Sequence, residues 1–246
     1  MWRKSGGRWL AAGRRLGASL AYGQWPPIGK DRIRRGLALR LGLALLLGLA
    51  APAGDAMAGA GPRPFTVLAL GDSLTAGYGL AAADALPAQL ERRLKDGGVN
   101  VRVINAGVSG DTSAGGRARL GWLLSERPDA VLVALGANDA LRAIDPAVTR
   151  ANLDAILNEL KTRGIAVLFA GMQAPPNLGR AYVDAFNALF PELARRHGVA
   201  FYPFLLEGVA AKPDLNIGDG IHPNPLGVAR MVDGLAPLLQ RLAPAR

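Results

Sequence analysis

Asp219 and His222, three residues apart near the C-terminus, have the types and spacing of a carboxylate that orients an imidazole. They lie in a loop closed by Gly220 and Pro223, so the carboxylate can hold one ring nitrogen while the other remains free. An imidazole held in this way can take the proton of a serine hydroxyl, which is otherwise a weak nucleophile at neutral pH. Ser73 is the candidate nucleophile because it directly follows an apolar segment that predicts a buried strand.

Attack on a carbonyl also needs hydrogen-bond donors for the oxygen that becomes negatively charged, and each such donor lowers the barrier by about 3 kcal/mol. The candidate donors are the backbone amides of Ser73 and Gly110 and the side-chain amide of Asn138. Each of the three follows a different predicted strand. They can surround one oxygen only if those strand ends meet in space.

The elements that must position these residues are short valine- and leucine-rich segments that alternate with longer amphipathic ones. This alternation is typical of a parallel sheet covered by helices on both faces. We predict strands near 65–70, 101–105, 130–135, 165–170 and 200–203. We predict helices near 83–96, 114–126, 147–163, 180–197 and 225–242, three of which end at glycines (Gly97-Gly98, Gly164 and Gly198). The predicted fold is a three-layer α/β/α domain with a five-stranded parallel sheet.

In open sheets of this kind, ligands bind beyond the carboxyl ends of the strands. The loops expected at that edge are the polar ones of the sequence, namely Gly71–Leu74, Asn105–Asp111, Gly136–Asp139 and Asp219–Pro223. The sequence therefore predicts that one edge of the sheet carries all the candidate catalytic residues.

These blocks resemble those of the SGNH, or GDSL, hydrolase superfamily, over essentially all of residues 65–240. Within it, the runs 71–78 (GDSLTAGY), 109–113 (SGDTS) and 219–224 (DGIHPN) are similar to the bacterial multifunctional acyl-CoA thioesterase, lysophospholipase and arylesterase group. Residues 136–139 match the block that usually reads Gly-x-Asn-Asp.

The resemblance implies the same roles as the residues themselves suggest. Ser73 would be the nucleophile, Asp219 and His222 its triad partners, and Gly110 and Asn138 the oxyanion donors. It further implies a flavodoxin-like fold and export to the periplasm.

Other polar residues of these blocks have structural roles in our interpretation. Asp72 and Asp139 are expected to bind loop backbone amides, and residues 111–113 to cap the start of a helix. His197 follows two arginines at a predicted helix end, where a basic residue complements the helix dipole. We expect it to be structural.

A nucleotide-binding module is a competing interpretation, because residues 77–82 fit a loose Gly-x-Gly-x-x-Ala pattern. The glycines begin several residues after the strand, and the second strand ends in Asn105-Ala106-Gly107 where an acidic ribose-binding residue would be needed. The sequence has no Walker-type loop, which argues further against nucleotide binding, and no Gly-x-Ser-x-Gly elbow, which argues against the α/β-hydrolase fold.

An acyl-chain groove beside Ser73 is a further expectation from position alone. The loop 172–179 is apolar and contains two prolines, so it is either one wall of such a groove or an ordinary stiff connection. Further candidates for the wall are Leu80, Leu141, Ile144 and Phe204.

Composition restricts cofactors and partners. The sequence has no cysteine and only two histidines, so thiolate chemistry is excluded and we expect no metal or cofactor. The net charge of +10 does not indicate nucleic acid, because residues 59–246 hold 19 basic against 17 acidic residues. We expect a monomer as the default.

The N-terminal segment carries the excess positive charge and has the anatomy of a secretory signal. Its 11-residue apolar run, Leu41–Ala51, follows several arginines and precedes Ala56-Met57-Ala58. About 20 apolar residues are needed to cross a bilayer, so we expect cleavage near Ala58 and no retained membrane span. A twin-arginine route through Arg34-Arg35 stays open, whereas a retained anchor or a basic arm has no further support.

The predicted domains are therefore a basic extension with signal peptide at 1–58, a linker at 59–64 and a catalytic domain at 65–246. The expected activity is hydrolysis of carboxylic esters, acyl thioesters or lysophospholipids. Two alternatives stay open: a carbohydrate O-deacetylase, which a polar groove lined with aromatic residues would favour, and a non-catalytic acyl-chain binding protein.

Overall fold

A computed structural model describes residues 63–244. The predicted signal peptide and most of the linker lie outside the described residues. Five parallel strands form one sheet: β1 (Phe65–Gly71), β2 (Val101–Gly107), β3 (Ala130–Ala134), β4 (Ala166–Ala170) and β5 (Ala200–Tyr202). Their order across the sheet is β2-β1-β3-β4-β5. This is the flavodoxin-like order, in which the direction of winding reverses between β1 and β3.

Helices cover both faces of the sheet, which confirms the predicted three layers. They are α1 (Ser73–Ala76), α2 (Leu86–Asp96), α3 (Ser113–Leu123), α4 (Ala137–Leu141), α5 (Pro146–Thr162), α6 (Arg180–His197) and α7 (Pro225–Leu242). The long helices α2 and α7 pack together, as do α3, α5 and α6. Crossovers between parallel strands are almost always right-handed, and with this strand order that rule puts the two groups on opposite faces.

All five predicted strands and five predicted helices are confirmed, with bounds shifted by a few residues. The first predicted helix is a short 3-10 turn, Ala82–Asp84, followed by α2, and α3 continues into a second 3-10 turn, Leu124–Glu126. The short helices α1 and α4 were not predicted. With four and five residues they are too short to show a helical repeat of apolar residues.

The core lies between the sheet and its two helical layers. Every residue of β1 and β3 is buried, because these central strands are covered on both faces. The edge strand β5 is only partly buried. Within residues 63–244, no helix is both long and apolar enough to cross a membrane.

Gly107, the last residue of β2, allows α1 to lie directly against the end of the sheet. A Cβ atom at this position would come within 2.2 Å of the backbone nitrogen of Ala76, the last residue of α1. Any other residue would therefore push α1 away from the sheet. The close approach brings the helix that begins with Ser73 to the edge where the other polar loops lie.

Candidate active site

The structure brings Ser73, His222 and Asp219 into one chain of hydrogen bonds. Ser73 is the first residue of α1, and its Oγ lies 2.9 Å from Nε2 of His222. The other imidazole nitrogen, Nδ1, lies 2.6 Å from Oδ2 of Asp219. Ser73 and His222 are 149 residues apart in sequence, so only the fold brings them together. The arrangement is that of a nucleophile, a base and a group that orients the base.

The loop that carries His222 also keeps Asp219 charged. The second oxygen of Asp219 accepts hydrogen bonds from the backbone N–H groups of His222, at 3.0 Å, and Ile221, at 2.9 Å. These bonds, together with the bond to the imidazole, lower the pKa of Asp219 to about 2. The carboxylate is therefore ionised at neutral pH. Pro223 closes the loop by pairing with Asn216 across an antiparallel bridge.

The three candidate oxyanion donors line one cavity next to Ser73. Gly110 is in the loop after β2 and has φ +81°, a left-handed conformation that a side chain would strain. Its carbonyl is held by Nη2 of Arg142 at 2.8 Å, which fixes the orientation of the loop. Asn138 comes from α4, after β3. The structure thus brings all five residues selected from the sequence to one edge of the sheet.

Asp72, which directly precedes Ser73 in the chain, is fully buried. One carboxylate oxygen accepts from the backbone N–H of Leu74 at 3.0 Å, which confirms the expected bond to a loop amide. The other oxygen accepts from Nδ2 of Asn138 at 3.2 Å, a contact that the sequence did not indicate. Burial raises the pKa of Asp72 to about 6 despite these bonds.

Arg119 of α3 holds the carboxyl ends of two strands together. Its guanidinium donates to the backbone carbonyls of Gly71, at 2.9 Å, and Ala106, at 2.7 Å, and to the carboxylate of Asp111, at 2.8 Å. Sequence reasoning missed this role because a single arginine within a helix gives no local signal. The expected helix start is confirmed: the Thr112 side chain accepts from the backbone N–H of Gly115.

Asp139 is buried and accepts three hydrogen bonds, two from Ser113 and one from the hydroxyl of Thr149. The bond from the Ser113 backbone N–H confirms the expected type of partner. The bonds connect α4 to the start of α3. Asp139 therefore supports the backbone next to Asn138 without facing the cavity.

The cavity beside Ser73 has a volume of about 330 Å³ and mostly apolar walls. Its apolar side chains are Leu74, Tyr78, Ala137, Leu141, Leu206 and Ile221. Of the predicted wall residues only Leu141 belongs to this lining; Leu80, Ile144 and Phe204 do not. The loop 172–179 does not line it either, because Met172 and Ala174 are buried in the core.

Tyr78 covers one side of the His222 imidazole. Its ring centroid lies 4.6 Å from that of His222, with the ring planes tilted by 38°. The aromatic ring limits the positions that the imidazole can take. It was not selected from the sequence as a site residue, although it belongs to the run 71–78.

His197 does not take part in the site. It is the last residue of α6, and its Nε2 lies 2.7 Å from Oδ1 of Asp154. Because α6 ends where β5 begins, His197 lies at the opposite edge of the sheet from Ser73. This position agrees with the structural role expected from the sequence.

The sequence also matches a known family over most of this domain. Residues 69–230 fit the model of the GDSL-like lipase/acylhydrolase family. The chain belongs to this family. It is an SGNH hydrolase, and its activity is hydrolysis of ester bonds.

Relatives of known name and structure agree with this assignment. The chain is 41% identical over 178 residues to esterase TesA of Pseudomonas aeruginosa, which covers 72% of the chain and 89% of the relative. It is 42% identical to thioesterase 1/protease 1/lysophospholipase L1 of Escherichia coli K12, covering 72% of the chain and 84% of the relative. The crystal structure of a TesA superposes with a TM-score of 0.69, covering 72% of this chain and 99% of that one.

Proposed function

We propose that the chain hydrolyses carboxylic esters and acyl thioesters through a covalent acyl-enzyme on Ser73. The observation that carries this proposal is the continuous hydrogen-bonded chain from Asp219 through His222 to Ser73, which opens onto an apolar cavity. We infer the roles of these residues from their geometry.

In the first step, Oγ of Ser73 attacks the substrate carbonyl while Nε2 of His222 accepts the hydroxyl proton. Asp219 holds Nδ1 and stabilises the imidazolium that forms. The backbone N–H groups of Ser73 and Gly110 and the Nδ2 group of Asn138 bind the oxyanion of the tetrahedral intermediate. The intermediate collapses when His222 returns the proton to the leaving alcohol or thiol, and the acyl group stays on Ser73.

In the second step, a water molecule replaces the leaving group. His222 takes a proton from this water, which attacks the acyl carbonyl and forms a second tetrahedral intermediate in the same oxyanion site. Collapse breaks the bond to Ser73, and His222 returns the proton to Oγ. The products are a carboxylic acid and the restored serine.

The cavity favours substrates with an aliphatic acyl chain. Leu74, Leu206 and Ile221 supply apolar contacts beside Ser73. Each methylene that becomes buried contributes about 0.8 kcal/mol, so each raises kcat/KM about fourfold until the cavity is full. The names of the relatives, which include an esterase and a thioesterase/lysophospholipase, support the same substrate classes. We further propose that the chain acts in the periplasm after removal of its signal peptide.

The test is hydrolysis of p-nitrophenyl esters from acetyl to palmitoyl by the purified protein. We expect kcat/KM to rise with chain length to a maximum and then to level off or fall. Ser73→Ala and His222→Ala should remove the activity, and His197→Ala, the matched control for the second histidine, should keep it. A folded Ser73→Ala variant with full activity would refute the proposal.

A second measurement tests the covalent intermediate. An alkyl fluorophosphonate should transfer one phosphonyl group to each chain as Oγ of Ser73 displaces fluoride and His222 takes the hydroxyl proton, and peptide mapping should place the group on Ser73. The Ser73→Ala variant should stay unmodified. Modification of a different serine would contradict the assigned nucleophile.

A further inference from the structure

Asp72 combines three properties that a simple helix cap does not require. It is fully buried, it uses both carboxylate oxygens for different partners, and its pKa of about 6 leaves it ionised at neutral pH. A cap for α1 needs only one acceptor for the N–H of Leu74, and serine or asparagine serves that purpose as well as aspartate. The role of a helix cap therefore explains the carboxylate oxygen that binds Leu74. It does not explain why the other oxygen binds Asn138.

The second oxygen faces the side chain of Asn138, which comes from the far side of the switch point between β1 and β3. An asparagine amide can be turned so that either its oxygen or its nitrogen occupies a given place. A carboxylate only accepts hydrogen bonds, so it repels the amide oxygen and binds the amide nitrogen. Asp72 therefore selects one of the two orientations of Asn138.

The selected orientation is the one that the proposed reaction needs. Nδ2 carries two protons, and Asp72 takes one of them. The other remains for the oxygen of a substrate bound beside Ser73. In the reversed orientation, the Asn138 oxygen would take the place of Nδ2, so an acceptor would stand where the oxyanion needs a donor.

We propose that Asp72 is a positioning residue of the oxyanion site, which acts by holding the amide of Asn138 with its nitrogen toward the substrate carbonyl. The proposal rests on the proposed function and adds a specific role for Asp72. Burial raises the pKa of this carboxyl group, so the protein retains an ionised group at a place where ionisation is unfavourable. Such a group is typical of a functional site.

The decisive variant is Asp72→Asn, which has nearly the same shape and keeps an acceptor for the N–H of Leu74. Its side chain can also donate, so it no longer excludes the reversed orientation of Asn138. We expect kcat for a p-nitrophenyl ester to fall about 10²-fold with little change in KM, because an oxyanion donor acts mainly in the transition state.

A double-mutant cycle with Asn138→Ala separates positioning from general support of the fold. Asn138→Ala alone should lower kcat by about 10²-fold. Adding Asp72→Asn to it should produce almost no further loss, since the group that Asp72 positions is already absent. The proposal would be overturned if the fold-loss of kcat in the double variant equalled the product of the losses in the two single variants. It would also be overturned if Asp72→Asn kept full kcat.

The same set of variants distinguishes failure of this inference from failure of the proposed function. If Ser73→Ala and Asn138→Ala both keep full activity, the proposed mechanism itself is wrong. If these two lose activity and Asp72→Asn keeps it, only the role of Asp72 is wrong.

A measurement on the unsubstituted protein does not depend on whether a variant folds. In a proton–nitrogen NMR spectrum, one of the two Asn138 side-chain amide protons should be shifted downfield and exchange slowly, as expected for a bond to a carboxylate. Two amide protons with the shifts and exchange rates of a free amide would overturn the proposal.

Discussion

At the scale of single residues, the two carboxylates closest to Ser73 and His222 have opposite electrostatic environments. Asp219 is exposed and receives two backbone hydrogen bonds, so its pKa falls to about 2. Asp72 is buried, and loss of hydration raises its pKa to about 6. A charged group that is exposed and bonded stabilises its loop, whereas a buried one is unfavourable. Both carboxylates stay ionised at pH 7. Ionisation destabilises the folded state only at Asp72, because, of the two, only Asp72 is buried.

This difference predicts how stability changes with pH. The pKa of Asp72 rises from 3.8 to about 6 on folding, so between pH 4 and 6 the folded state binds a proton that the unfolded state has lost. The Asp72 contribution to the free energy of unfolding therefore falls as pH rises through this window, by up to about 3 kcal/mol. Asp72→Asn lacks this contribution. Its free energy of unfolding should therefore be nearly equal to that of the unsubstituted protein at pH 4 and should exceed it by the largest amount at pH 7.

Urea unfolding of both proteins at pH 4, 5, 6 and 7 measures this difference. Asp96→Asn is the matched control, because Asp96 is an exposed residue of α2. It should stay within about 0.5 kcal/mol of the unsubstituted protein throughout. A constant difference between Asp72→Asn and the unsubstituted protein would contradict the effect of burial on Asp72. A variant that is more stable and yet less active would show that the buried charge serves catalysis.

At the scale of the elements, the site depends on how strand ends are held against one another. The residues Ser73, Gly110 and Asn138 follow β1, β2 and β3 respectively, and these three strands are neighbours in the sheet. The backbone pairing of the strands aligns their ends to within one residue step. The loops that follow these strands lie beyond the last paired residues. Other contacts, such as those of Arg119, must therefore fix their positions.

We predict that Arg119→Met destabilises the fold by about 3–5 kcal/mol. The substitution leaves the Asp111 carboxylate, which is only 12% exposed, without its cation, and it removes donors from two strand-end carbonyls. Arg102→Met is the control, because the Arg102–Glu126 pair is about half exposed and such pairs contribute less than about 1 kcal/mol. Urea unfolding measures both. Equal losses in the two variants would refute the special role of Arg119.

At the scale of the whole chain, the charge is divided between two parts. Residues 1–40 hold ten basic residues and one acidic residue, whereas residues 59–246 have a net charge of only +2. This division fits a leader that directs export and a catalytic domain that works without it. It also means that the isoelectric point of the full chain, about 10.8, does not describe residues 59–246.

We predict that the full chain, expressed in a Gram-negative host, is recovered from the periplasm with Gly59 at or near its N-terminus. Mass spectrometry of the purified protein checks the cleavage position. Ala58→Asp should block cleavage, because small neutral residues are needed there. Replacing Arg34 and Arg35 with lysine should abolish export only if the twin-arginine route is used. Recovery of the protein from the cytoplasm with Met1 still present would contradict the predicted signal peptide.

The sequence by itself determined the fold class and the five residues of the proposed mechanism. Alternating apolar segments are local patterns, and the blocks around Ser73 and His222 each lie within a few consecutive residues. Asp219 and His222 are close in sequence, so their pairing follows from spacing alone. The expected edge of the sheet follows from a general rule of parallel sheets.

Only the tertiary structure decided what surrounds these residues. Asp72 and Asn138 are 66 residues apart, and Arg119 reaches a carbonyl 48 residues away, so no local pattern records either contact. The cavity lining was mostly mispredicted for the same reason: Leu206 and Ile221 line the same cavity as Ser73 although both are distant from it in sequence. The proposed reaction could be predicted from residue types and spacing. The residues that position the site and line its cavity could not, because they come together only through packing between distant segments.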